Sequence, residues 1–334
     1  MQESLFPNTA APSPTPIVAA AKPAREVVEL AGTLPPNLRM GTSSWNYPGW
    51  RGLVWEGDHP DATLSRHGLN AYARHPLLRT VSLDRGFYRP LTVAQFADYA
   101  AQVPAHFRFM VKAPSLVTDA QVRDGSGRGR RGNAHFLDAE RMLRDFIEPA
   151  VTGLGGRLGA LVFQISPLPG PLLARMPELV ERLRLLLRAV PDMRSEAPDA
   201  VVAVEVRDPQ WLTPGFVAAL GESGSTYCLG LHARMPSIAE QLPVLRALWP
   251  GPLVCRWNLN PLHGSFGYEK AKRQYQPFDR LVDPDGETRA ALAKVVAGTV
   301  GAGQNAWISL GNKAEGCAPL SVAELARSVR ELLG

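Results

Sequence analysis

The 334-residue chain has only three cysteines, Cys228, Cys255 and Cys317, and no CxxC pair among them. An odd number without metal-ligand spacing suits a reducing compartment better than a disulfide framework, and all three are expected to be buried and inert. No run of about 18 uncharged apolar residues is present, so no helical membrane span is expected. The N-terminus lacks a basic start, and Pro7, Pro12, Pro14 and Pro16 interrupt its apolar residues, which argues against a secretion signal and for a cytoplasmic protein. No GxGxxG or GxxxxGKS/T loop directly follows a candidate strand. The seven histidines show neither HxH nor HExxH spacing, and there is no GxSxG elbow. Dinucleotide binding, P-loop chemistry, a catalytic metal and a serine nucleophile therefore have no sequence support, and no cofactor is expected. Charge is also sparse: 20% of residues are charged, with a net charge of +5. That balance describes a moderately basic globular protein rather than a nucleic-acid tail.

The 45% hydrophobic content is enough to bury a sizeable core. Residues 1–37 are rich in Pro, Ala, Thr and Ser, with Lys22 and Arg25 set against Glu3, Glu26 and Glu29. Such a segment is expected to be a disordered leader to a single domain over 38–334. From residue 38 onward, β-type runs alternate with segments of helical period. Strands are expected at Arg39–Ser44, Thr80–Asp84, Phe107–Lys112, Gly159–Gln164, Val201–Val206, Thr226–Gly230, Leu253–Trp257 and Asn305–Leu310. Helices are expected at about 62–74, 92–102, 138–149, 172–189, 213–223, 237–248, 287–301 and 321–333, with Thr92, Thr213 and Ser321 as caps. Eight of each predict an α/β fold, a closed (β/α)8 TIM barrel.

In such a barrel the carboxyl ends of the strands face the ligand while the strand middles fill the core. Every expected strand here ends in a group able to bind or ionise: Ser43, Ser44 and Trp45; Asp84, Arg85 and, just beyond, Tyr88; Lys112; Gln164; Glu205 and Arg207; His232; Arg256 and Asn258; Asn312. Lys112 in "FRFMVKAP" and Glu205 and Arg207 in "VVAVEVRDPQW" follow directly on runs that should be buried. Two residues apart, Glu205 and Arg207 share a strand face, and an ion pair between them lowers the Glu205 pKa. That pair reads as a buried brace or as a binding element. Lys112 and Arg256 suit an anionic group such as phosphate or carboxylate. Gln164, a neutral amide, can only position a ligand or hold a neighbouring charge.

Two interruptions of the alternation are expected to lie over the barrel mouth: "DGSGRGRRGN" at 124–133, with Arg128, Arg130 and Arg131, and the stretch 258–286. Trp45, Tyr47, Trp50 and Trp55 crowd one loop, where they either wall a pocket or pack the loop onto the barrel.

"GTSSWNYPGW", "FYRP", "FRFMVKAP", "LGALVFQISPLP", "VVAVEVRDPQWL" and "WISLGNKAEGCAP" occur in an order that resembles the YecE-like family, domain of unknown function 72. The resemblance covers residues 39–333 and implies a TIM barrel of unestablished activity. Its motif residues correspond to Gly41, Trp45, Trp50, Phe87, Tyr88, Lys112, Gln164, Glu205, Arg207, Trp211, Arg256 and Asn312. This chain departs from the family pattern at Ser82 and Asp84 in "VSLDRGFY", at Asn258 after Arg256, and at His232 in "LGLHAR". A carboxylate and a histidine of the family mouth are thereby missing, which marks a divergent member.

The leading expectation is a site for a small anionic or polar ligand. Glu205, Lys112 and Asp84 are its catalytic candidates, and Gln164, Arg207, Arg256, Asn312, Trp45 and Tyr88 its binding residues. One rival is nucleic-acid binding through the Arg-rich loop and the tryptophans, which predicts affinity falling steeply with salt. Another is a catalytically inactive barrel that serves as a binding partner.

Overall fold

The computed structural model of the chain describes residues 17–123 and 129–334. Its strands are β1 (Leu38–Thr42), β2 (Thr80–Leu83), β3 (Arg108–Lys112), β4 (Gln121–Arg123), β5 (Gly129–Gly132), β6 (Leu158–Gln164), β7 (Val201–Glu205), β8 (Thr226–Leu231), β9 (Leu253–Trp257) and β10 (Ala306–Leu310). Eight of them close a parallel barrel in the order β1-β2-β3-β6-β7-β8-β9-β10, with β10 returning to β1 over five register pairs from Leu38↔Ala306 to Thr42↔Leu310. Parallel neighbours need long crossovers, and helices supply them, which is why the strands are apolar on both faces. The eight expected strands are all present to within two residues at either end.

Alternation of side chains along each strand divides the core in two. One set faces the helices. The other fills the barrel with Met110, Ala160, Val162, Ala203, Cys228, Val254 and Trp307, all fully buried. The Trp307 indole crosses the barrel against Gly159, where an added Cβ would lie 2.5 Å from Trp307 Nε1. Below it, Arg39 and Arg108 share the Asp199 carboxylate at 3.1 and 2.8 Å. These contacts plug the end opposite the site.

The helix caps agree with expectation at two places and differ at a third. Thr92 forms a capping box with Gln95, and Thr213 accepts from the Phe216 amide. Ser321 is not a cap: its helix starts earlier, at Ala318, leaving Ser321 fully buried inside the first turns.

The expected disordered leader is corrected over residues 17–37. Ala20 bridges Trp55, the Ala21 amide donates to Val54 O at 3.0 Å, and Arg25–Thr33 is a helix. Leu30, Ala31 and Leu34 are buried, and Arg79 donates to Ala31 O at 2.7 Å and Pro35 O at 3.3 Å. The segment gains its order from apolar partners on the barrel, which its own composition does not display. Residues 1–16 of that expectation lie outside the described residues.

The stretch after β3 forms the antiparallel hairpin β4–β5, and Arg131 on it is exposed. Arg128 and the Arg130 side chain lie outside the described residues. Among the described residues no helix is long and apolar enough to cross a membrane. All three cysteines are free and buried, and burial pushes the Cys317 thiol up to about 12.

Candidate functional site

Lys112, Gln164, Glu205 and Arg256 each stand two residues beyond a member of the inner barrel cluster, namely Met110, Val162, Ala203 and Val254. The same strand face that buries the core therefore delivers these four groups into the mouth. Register reinforces the convergence, since Gln164 is opposite Glu205, and Gly230 and Ser309 flank Arg256.

Above this layer lies a cleft of about 590 Å3, lined among others by Asp84, Tyr88, Lys112, Gln164, Arg207, His232, Arg256 and Asn312. Seven of the nine residues expected in the site thus border one cavity. Trp45 does not: it is buried, donates to Leu64 O at 3.1 Å and packs edge-on against Tyr99. Nor does Glu205, which is fully buried beneath the floor.

Glu205 is the hub of an ion network. Its Oε2 accepts from Arg256 Nη1 at 2.8 Å, and its Oε1 lies 2.6 Å from Arg207 Nη2 without the angle of a hydrogen bond. Arg256 Nη2 also donates to Asp84 Oδ2 at 2.6 Å, and both arginines donate to Gln164 Oε1 at 3.2 Å. Ser82 completes the set by donating to Asp84 Oδ1 at 2.6 Å. Gln164 is the neutral acceptor that holds two guanidinium groups together.

Burial opposes ionisation of Glu205, but Arg207 and Arg256 outweigh it and hold the carboxyl below the usual range. Asp84 behaves alike: burial raises it, and Arg256, Lys112 and the Ser82 hydroxyl bring it down further. Both carboxylates are therefore anions at neutral pH. An ionised, doubly paired Glu205 suits orienting the arginines better than acting as a general acid.

Lys112 differs from its neighbours. Burial, with the fields of Arg256 and Arg207, outweighs Asp84 and Glu205 and depresses its pKa to about 8. Its Nζ sits 3.4 Å from the centroid of the Phe87 ring. Burial followed by Arg207 likewise takes His232 down to about 4, so it is neutral, and its Nδ1 accepts from the Arg234 amide.

The rim holds groups that the strand-end reading missed. Arg234 lines the cleft and pairs with Asp208 at 3.1 Å; Asp208 in turn accepts from the Leu168 amide. Lys313 lines it too, with its Nζ 5.7 Å from the Tyr268 ring centroid. Arg234 lies in a turn two residues past the expected site position His232, and Lys313 in the short helix Asn312–Glu315 one residue past Asn312, and that adjacency is the only signal that pointed to them. The stretch 258–286 contributes Asn258, Ser265, Phe266 and Tyr268 to the cleft. It is braced by Tyr275, whose hydroxyl donates to Asp283 at 2.8 Å and meets His263 at 2.6 Å. Phe266 and Tyr88 are 90% and 84% exposed, two bare aromatics at the opening. Asn312 is largely occupied, accepting at Oδ1 from the Ala318 amide and from Trp50 Nε1, while its Nδ2 is buried without an acceptor. Among the described residues no group of three or more His, Cys, Asp or Glu side chains is placed to hold a metal ion.

Comparison with solved structures places this architecture among known barrels. A DUF72 family protein from Thermotoga maritima superposes with a TM-score of 0.53 at 19% identity, covering 89% of this chain and 98% of that one. A DUF72 family protein from Enterococcus faecalis gives 0.53 at 18% identity, covering 89% and 95%. At these identities the likeness speaks for the fold. No curated protein matches the chain. The profile of the family described as "protein of unknown function DUF72" matches residues 39–333, and the chain belongs to that family.

Proposed function

We propose that the cleft at the carboxyl end of the barrel binds, or acts on, a small anionic ligand. One observation carries this reading: among the described residues, five cationic side chains, Lys112, Arg207, Arg234, Arg256 and Lys313, line the cleft, and a single carboxylate, that of Asp84, lines it with them. Even with Glu205 counted below the floor, positive charge is in excess. On a floor where Lys112, Arg207 and Arg256 are buried, such an excess acts at a lower effective dielectric than on an open surface, where it is worth less. The arginines arrive already oriented by Glu205, Asp84 and Gln164, so little ordering remains to oppose binding. A carboxylate or phosphate suits their planar donor sets.

The test is a panel of small carboxylates and phosphates, read as shifts of the thermal unfolding midpoint. At least one anion should raise the midpoint of the wild type and raise it less in Lys112→Met and Lys313→Ala. If no member of the panel moves the wild type, or if the variants respond as it does, the reading fails.

A further inference from the structure

Of the five cations around the cleft, three have their charge assigned. Arg256 is held by Asp84 and Glu205, Arg207 by Glu205 and Gln164, and Arg234 by Asp208 and the Arg207 carbonyl. Lys313 is half-buried beside Tyr268. Lys112 is buried, with 8% of its surface exposed, and among the described residues its Nζ has neither a hydrogen-bond acceptor nor an ion-pair partner. The two carboxylates within reach of its field are already committed to arginines. Its Nζ rests on the face of Phe87 and opens onto the cleft, so no paired anion offsets the charge there, and burial of the rest of the side chain favours the amine with a free lone pair.

On the strength of the anionic-ligand reading above, we propose that Lys112 is a nucleophile that forms an imine with a small carbonyl compound bearing a carboxylate or a phosphate. The residue ends β3, and its amine opens onto the cleft floor next to the arginines that would hold the anionic group. In the first step the Nζ lone pair forms the C–N bond as the carbonyl π pair moves onto oxygen. A proton then passes from nitrogen to that oxygen, giving a carbinolamine. The C–O bond breaks, one proton from solvent turns the leaving hydroxyl into water, and the nitrogen lone pair completes a C=N bond as a protonated imine. No oxidant or reductant is needed. Arg256 and Arg207 face the oxygen that gains charge in the first step, while Asp84, already ionised, faces the cation left on nitrogen at the end. With its pKa near 8, Lys112 has a share of free amine at pH 8 on the order of a hundredfold larger than an ordinary lysine.

The chain has six lysines, Lys22, Lys112, Lys270, Lys272, Lys294 and Lys313, so site selectivity can be read directly. The full chain is incubated at pH 8 with glyoxylate, glycolaldehyde phosphate or uncharged glycolaldehyde, reduced with cyanoborohydride and mapped by peptide mass spectrometry. Lys112 should carry the reduced adduct at least about tenfold faster than Lys22 or Lys294 with one or both anionic aldehydes. It should also prefer that aldehyde to glycolaldehyde, and Lys112→Arg and Lys112→Met should lose the fast adduct. Preference for glyoxylate or for glycolaldehyde phosphate tells a carboxylate ligand from a phosphate one. If anions shift the unfolding midpoint but Lys112 is labelled no faster than the exposed lysines, the imine is ruled out and the binding reading stands. If neither occurs, both fall. Fast labelling that is equal for charged and uncharged aldehydes overturns the anionic substrate class.

Discussion

Arg256 touches both carboxylates of the site, and the consequence of removing it follows from what it leaves behind. Arg256→Ala strands Glu205, fully buried, with one cation fewer and no donor on Oε2. Breaking a buried pair from one side costs about 3–5 kcal/mol, so the urea midpoint should fall accordingly, while the triple variant Arg256→Met, Arg207→Met and Glu205→Leu, which removes the carboxylate together with both of its cations, should recover much of the loss. Recovery is the informative arm, since it distinguishes an uncompensated charge from lost volume. Lys112 has the opposite sign. Its folded pKa lies below its unfolded value, so its charged form is a burden on the native state below about pH 8, relieved as pH rises through that value. Lys112→Met should therefore be more stable than the wild type at pH 7, with the difference shrinking toward pH 10. A constant difference across that range, measured by denaturant titration, would contradict the assignment. Lys112, Gln164, Arg207 and Arg256 were legible in the sequence because each ends an apolar run at a strand terminus. The pairing of Glu205 with Arg256 and the arrival of Arg234 and Lys313 at the rim were not, because both depend on which neighbours the barrel closure supplies.

At the scale of elements, the helix Arg25–Thr33 shows where local reading fails. Its composition resembles a linker, yet Leu30 and Ala31 are buried against the barrel and its last turn is tied to Arg79. Leu30→Ala should lower global stability by about 2–5 kcal/mol, the range for a buried leucine, whereas a change in a true leader would be silent. Equal unfolding midpoints for the variant and the wild type would return the segment to the status of a linker. The strands, in contrast, were read to within two residues because a parallel strand buried on both faces is a continuous apolar run bounded by turn residues. Thr92 and Thr213 were read as caps because an N-cap is a local device, with its hydrogen bond closing within three residues. Ser321 misled because the preceding "CAPL" already starts the helix, with Pro319 at a tolerated first-turn position.

The whole molecule separates its two barrel ends chemically. One end is plugged by Trp307 and by two arginines sharing Asp199; the other holds a cationic cleft over paired carboxylates. Because Glu205 and Asp84 have folded pKa values below their unfolded ones, the stability they contribute is fully present above the unfolded carboxylate pKa. It is lost as pH falls below that range. Acid unfolding should therefore occur at a lower pH in the wild type than in Glu205→Gln, which lacks the ionised hub; coincident acid transitions would show that the network does not stabilise the fold. The eightfold alternation, the closed barrel and the polar strand ends were determined by the sequence itself, since side-chain periodicity and run length are local properties. Tertiary structure alone decided that Glu205 lies under the floor, that Trp45 packs away from the cleft, and that Lys112 is a buried cation set on the Phe87 ring with no carboxylate paired to it among the described residues. Those outcomes rest on distances between residues up to 172 positions apart, as between Asp84 and Arg256, and no local pattern encodes them.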